Sequence, residues 1–177
     1  MPDDSGKLYV YEALELRAAF DREIRLLGRL IRPEEGRRGS FLADRDSMEL
    51  RAAAGFVPQD AEARLRALKV KRLKLNEAIQ VANFRAEITF DGESLSLARA
   101  LELRKSLLQD LEQLADRAQE AAYIRILHKE ERDIETVPLH PFPEAYADFE
   151  EAQDRFRTLV TALHHANHEV TVTFRDA

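Results

Sequence analysis

The chain contains no cysteine and no tryptophan among its 177 residues, and only six glycines and six prolines. Without cysteine there are no disulfides, no thiolate nucleophile and no Cys-ligated zinc, a composition suited to a reducing compartment. Without tryptophan the chain absorbs weakly in the ultraviolet, so bound nucleic acid would be conspicuous. No uninterrupted apolar run approaches the roughly 18 residues needed to span a bilayer. The opening "MPDDSGKLYVY" lacks the basic and apolar regions of a signal peptide. A soluble, cytoplasmic protein that does not engage membranes is therefore expected. The phosphate-loop, dinucleotide and serine-hydrolase signatures G-x-x-x-x-G-K, G-x-G-x-x-G and G-x-S-x-G are all missing. A net charge of -6 argues against a general nucleic-acid binder.

What is present is a chain 45% hydrophobic and 34% charged, the balance of a helix-rich globule. Its length predicts a single domain over 1–177, large enough to bury roughly 70% of its unfolded surface without a staple.

Apolar residues recur at helical spacing through Leu14, Leu16, Phe20, Ile24, Leu27 and Ile31, and "RPEEGRRGS" stops that first helix. "SMELRAAAGF" suggests a short helix between Ser47 and Gly55. Pro58 and Asp60 open a second long helix whose seam is Leu65, Leu68, Leu75, Ile79 and Ala82. The period then changes: "AEITF" alternates like a strand and ends at Asp91-Gly92, a turn signal. Ser94 is placed to cap a third helix carrying Leu97, Leu101, Leu107, Leu111 and Leu114. An irregular stretch after Ala122 contains "DIETV", a candidate strand, and three prolines that exclude helix. A fourth helix over 144–167 carries Phe149, Ala152, Phe156, Leu159, Leu163 and Ala166, and "EVTVTF" follows as a strand.

The chain nearly repeats itself. "AIQVANFRAEITF" at 78–90 aligns without a gap to "ALHHANHEVTVTF" at 162–174, an offset of 84, and "ALELR" occurs at 13–17 and again at 100–104, an offset of 87. Order and offset agree, which points to two duplicated halves at about 8–90 and 95–174. Two amphipathic hairpins with helices about 36 Å long would bury their stripes against each other. The expected fold is mainly α, an antiparallel four-helix bundle from two duplicated helical hairpins with short β-strands after helices 2 and 4. A lone pair of strands is marginal in water, so "DIETV" or a second chain is expected to complete a small sheet.

Candidate polar sites are few. Asn83 and Asn167 stand where helix gives way to strand and suit a left-handed C-terminal cap; a ligand-facing amide is the alternative. Arg17 and Arg104 flank the seams and suit ion pairs with a neighbouring helix. Arg72 falls on the seam itself. Either Leu73 rotates inward and Arg72 reaches out to solvent, or Arg72 is buried beside a carboxylate such as Glu23 or Asp110. His164 and His168 lie one helical turn apart, a spacing that can hold a divalent metal if a third ligand joins them; dipole-complementing residues at a helix end have the same pattern. "RLRALKVKRLK" gathers Arg64, Arg66, Lys69, Lys71, Arg72 and Lys74, a face for phosphate contacts or for the acidic start of the fourth helix.

Residues 75–114, with Ile79, Gln80 and Asn83 ending a helix, then a strand, a turn at Gly92 and the helix start Ser94-Leu95-Ser96, carry a family resemblance. With Arg17 and Asp21 at polar positions of the opening helix, the chain resembles a family of short bacterial helical proteins of uncharacterised function. Some members of that family carry the label septicolysin. The resemblance implies a helical fold and no established activity. A pore-forming toxin is at odds with the missing export signal and membrane hairpin. The reading reached from the residues is a non-enzymatic, homo-oligomeric interaction or structural protein needing no cofactor. A nucleic-acid-associated arm using the Arg64–Lys74 face and a metal-binding bundle using His164 and His168 are its rivals.

Overall fold

In a computed structural model, residues 6–32, 51–128 and 132–175 are described. Among them the chain runs β1 Lys7–Tyr9, α1 Val10–Ile31, α2 Pro58–Arg85, β2 Glu87–Phe90, β3 Glu93–Ser96, α3 Leu97–Ala121, β4 Arg125–His128, β5 Asp133–Thr136, α4 Phe142–Glu169 and β6 Thr171–Thr173. It is mainly helical, with short antiparallel strands. Two compact units result. The first takes the residues up to Ala82 together with those from Glu169 onward; the second is Asn83–His168.

In the first unit α1 starts where the Tyr9 N–H donates to the Glu12 carboxylate at 2.8 Å, one arm of a capping box. Pro58 occupies the first turn of α2, where its missing N–H costs nothing. The expected seam is buried: Val10 and Ala13 of α1 cluster with Leu75, Ile79 and Ala82 of α2 and with Val172 and Phe174. Farther along, Leu27 meets Ala61 and Leu68, flanked by Ile24, Ile31 and Leu65. β1 pairs antiparallel with β6, setting Leu8 against Val172, and the Val10 N–H donates to the Val170 carbonyl at 2.9 Å.

In the second unit β2 and β3 form a hairpin with Ile88 against Leu95. Its turn residues Asp91 and Gly92 have φ of +50° and +78°, the two left-handed positions of a type I′ turn. The Ser96 hydroxyl caps α3 by accepting the Arg99 N–H at 3.2 Å, and the Leu97 N–H donates to the Ala86 carbonyl at 2.9 Å. Ala118 and Ala121 of α3 pack on Ala145 of α4, and Arg117 bonds Asp148 across the same helices at 3.1 Å. Arg155 of α4 reaches back to the Asp91 carboxylate at 2.8 Å and lies 5.8 Å from the centre of the Phe90 ring.

The two offsets found in the sequence connect these descriptions. An offset of 87 carries Leu8 to Leu95 and Val10 to Leu97; an offset of 84 carries Ile88 to Val172 and Ala86 to Val170. The Leu8–Val172 register and the Val10–Val170 hydrogen bond of one unit thus correspond to Leu95–Ile88 and Leu97–Ala86 of the other. Side-chain burial agrees: Val10 and Leu97, Ala13 and Ala100, Leu75 and Leu159, Ile79 and Leu163, Ala82 and Ala166, Val172 and Ile88, Phe174 and Phe90 are all buried.

Several expectations are corrected. The strands after helices 2 and 4 are present, but each pairs with a strand preceding a helix, β2 with β3 and β6 with β1. "DIET" is a strand, and its partner is β4 rather than either of these. Ser96, not Ser94, caps α3, because Ser96 directly precedes the helix and Ser94 lies two residues farther back in β3. Pro143 sits inside the first turn of α4, where its fixed φ fits the helix. Of the proposed 47–55 helix, Ser47 to Leu50 lie outside the described residues, and residues 51–55 are not helical.

Candidate interaction surfaces

The polar candidates of the first unit form rungs between α1 and α2. Arg17 donates from Nη1 to the Asn76 amide oxygen at 3.2 Å, so its partner is an amide rather than a carboxylate. One turn on, the Arg72 Nε donates to Asp21 at 3.1 Å, and Glu23 pairs with Arg64. Both expectations for Arg72 change. Leu73 points outward at 55% exposure, and Arg72 stays half-buried on the helix-facing side with Asp21, not Glu23 or Asp110, as its partner. Geometry explains the choice: Asp21 is one turn from Arg17, as Arg72 is from Asn76, so the two pairs stack as successive layers of an antiparallel contact. The equivalent positions in the second unit read Arg104, Val160, Leu108 and Phe156, so these rungs belong to one unit only. Arg104 is exposed.

The basic face of α2 is answered in part at home. Arg64 and Arg72 pair with α1 and Arg66 with Glu62 of its own helix. The acidic start of α4, the partner expected from sequence, instead uses Asp148 on Arg117 and Asp154 on Arg157. His164 and His168 are both exposed on α4, and no group of three or more His, Asp or Glu side chains among the described residues is placed to hold a metal. Asn83 and Asn167 are half-buried, but neither ends its helix: α2 continues to Arg85 and α4 to Glu169. Among the described residues only Asp91 combines a side chain with positive φ, so the left-handed cap is not formed by either asparagine. Two residues at the start of the first unit form a further feature: the Tyr9 and Tyr11 rings stack at 6.0 Å, and partial burial, then the neighbouring Glu12 carboxylate, raise the Tyr11 phenol above its ordinary range.

A surface that the sequence reading passed over lies in the second unit. β4 and β5 form a two-stranded ribbon in which Leu127 faces Ile134 and His128 Nδ1 lies 2.8 Å from the Asp133 carboxylate. The whole of β4 is exposed, with Ile126 at 50% and Leu127 at 57%, and Leu139 beyond the ribbon reaches 90%. Where the ribbon meets the end of α3, Ala121, Tyr123, Arg125, Val137, Leu139 and His140 line an open hollow of about 340 Å³. A second hollow of about 380 Å³ shares Tyr123 and Arg125 and is bounded by Asp116 and Glu120. The signal lies in "YIRIL", four bulky apolar residues interrupted only by Arg125.

No protein-family model matches the chain, and no curated protein matches it. Among solved structures it is similar to a functionally unknown conserved protein from Corynebacterium diphtheriae, with a TM-score of 0.70 at 19% identity over 94% of this chain and 99% of that one. At this identity the likeness is one of fold, and the septicolysin label rests on the sequence resemblance alone. No helix among the described residues is long and apolar enough to cross a membrane.

Proposed function

We propose that the chain is a cytoplasmic, non-enzymatic interaction protein that works as a homo-oligomer. In this reading the fold is an antiparallel four-helix bundle that arose by duplication of a helical hairpin. The equivalent strand registers, hydrogen bonds and buried pairs support the duplication. The observation that carries self-association is the β4–β5 ribbon. A two-stranded ribbon is marginal alone, and this one leaves Ile126, Leu127 and Leu139 in water beside its open edges. A partner that covers them removes exposed apolar surface from solvent.

The rival readings find less support. The cations of the Arg64–Lys74 face that would meet phosphate are in part engaged with Asp21, Glu23 and Glu62. The histidine pair would need a third ligand from outside the described residues. Light scattering on untagged protein tests the proposal. A mass that is a multiple of 20.3 kDa is expected, lowered by Ile126→Lys with Leu139→Lys. A wild-type chain that stays monomeric at about 100 μM, a concentration at which even micromolar association saturates, would overturn it.

A further inference from the structure

The outer sides of α1 and α3 carry charge in opposite order. At 100° per residue, Glu15, Arg22, Arg25 and Arg29 of α1 fall within an arc of about 80°, and Lys105, Glu112, Asp116 and Glu120 of α3 fall within another. Read from the start of each helix, the first row is one anion and then three cations, the second one cation and then three anions. Between the ends of these rows the same arcs hold only Ala18 and Gln109, neither of them charged. All the charged members are exposed. Each row lies across its helix from buried residues, Ala13 and Leu27 in α1, Ala100 and Leu107 in α3.

Neither row is matched at home. Among the described residues Arg22, Arg25, Arg29, Glu112, Asp116 and Glu120 make no ion pair, and Lys105 is held by Glu102 of its own helix at 2.7 Å. Like charges four residues apart repel, as Arg25 and Arg29 do, and as Asp116 does with both Glu112 and Glu120. Glu120 also stands in the last turn of α3, where the helix dipole disfavours an anion. The fold does not ask for these charges. The offset of 87 carries Arg22, Arg25 and Arg29 onto Gln109, Glu112 and Asp116, so equivalent positions are cationic on one helix and neutral or anionic on the other.

We infer that the two rows meet between two copies of the chain, α1 of one lying parallel to α3 of the other. Setting Arg25 level with Asp116 puts Arg29 level with Glu120 and Ala18 level with Gln109. It also brings Arg22 within about 1.5 Å of Glu112 along the axis, and Glu15 equally near Lys105. Four pairs of opposite sign result, and no like charges face each other. An antiparallel alignment keeps three of these pairs and leaves Glu15 and Lys105 beyond the ends of the facing helices. A nucleic-acid backbone would suit the three arginines, but it accounts neither for Glu15 nor for the mirrored row on α3. A second copy accounts for both rows at once. Arginine–carboxylate contacts of this kind fix the partner and its orientation more than they add affinity. The inference rests on the homo-oligomeric reading above and adds an interface to its ribbon.

Charge reversal on the full chain tests it. The variants R22E/R25E and E112R/D116R should each self-associate tenfold or more weakly than wild type, read by light scattering over a dilution series. An equimolar mixture of the two should recover wild-type association, because every row then meets one of opposite sign on another chain. Circular dichroism checks that each variant is folded. Independently of any variant, raising sodium chloride from about 50 to about 500 mM should weaken the wild-type assembly, since exposed charges are screened. A wild-type oligomer indifferent to salt and to both reversals, or a mixture no more associated than its folded components, would overturn this interface and leave the homo-oligomeric reading standing. A wild-type monomer would overturn both. If R22E/R25E instead loses a labelled single-stranded oligonucleotide that wild type binds, with self-association unchanged, the α1 row belongs to phosphate and the inference fails.

Discussion

Leu75 and Leu159 are the test of whether the two units share one design. The offset of 84 makes them counterparts, and both are 0% exposed. Leu75 lies amid Val10, Ala13 and Ile79, so truncation to alanine removes buried carbon and leaves a cavity that rigid helices fill only in part. Buried leucine-to-alanine changes of this kind cost about 3 kcal/mol, within a range of roughly 2.7–5. In a chain of this length each kcal/mol lowers the melting temperature by about 2–4 °C, so Leu75→Ala and Leu159→Ala should each lose about 6–12 °C. Leu26 is 49% exposed beside the buried Leu27, and Leu26→Ala should stay within about 0.5 kcal/mol. The assay is circular dichroism at the helical band, followed in urea and by temperature, because the chain has no tryptophan to report by fluorescence. If one leucine costs about 3 kcal/mol and its counterpart less than about 1, the equivalence of the two seams is wrong. If Leu26→Ala costs as much as either, the phase assigned to α1 is wrong.

Asp21 and Arg72 form a pair whose side chains are 37% and 42% exposed, so solvent screens it and its coupling should be about 0.5–1 kcal/mol in a double-mutant cycle. The double variant D21L/R72F, which copies Leu108 and Phe156 of the second unit, should fold with stability equal to or above wild type; a loss above about 2 kcal/mol would mean the polar rungs do more than hold two helices. Gly92→Ala should cost about 1 kcal/mol through backbone conformation alone, because its φ is +78° and nothing lies within 4 Å of the added carbon; a cost near zero in thermal melts would refute the type I′ turn.

The helices could be read in advance because their signals are local and redundant. Leu65, Leu68, Leu75, Ile79 and Ala82 keep one phase for five turns, and Pro58 marks the start where such a residue is harmless. The strands that precede α1 and α3 could not, for a local reason. "KLY" and "ESLS" are three and four residues long, too short to show alternation, and "ESLS" looks like a helix cap because Ser94 and Ser96 are both good caps. Pairing was the harder problem. β1 meets β6 across nearly the whole sequence, and nothing in "TVT" states that its partner lies at the other end of the chain. Only the repeat contains that information: once β2 is known to pair with β3, the offsets require β6 to pair with β1. The asparagines suit a left-handed cap by residue type, but helices α2 and α4 continue past them.

The same comparison separates what the fold needs from what each half does for itself. The paired positions nearest the strands are buried in both units, and several keep the same residue: Leu at 75 and 159, Ala at 13 and 100, Phe at 90 and 174. Where the halves part company, they do so in opposite directions on two surfaces. The contact between α1 and α2 carries Asp21 and Arg72 where the second unit has Leu108 and Phe156, while the outer side of α2 carries Val81 and Phe84 where α4 has His165 and His168. The second unit alone has an exposed apolar ribbon among the described residues, at β4 and β5. Core positions are constrained by packing, because a change of one methylene there is felt throughout a close-packed interior. Surface positions are free of that constraint, and it is there that the two units differ most.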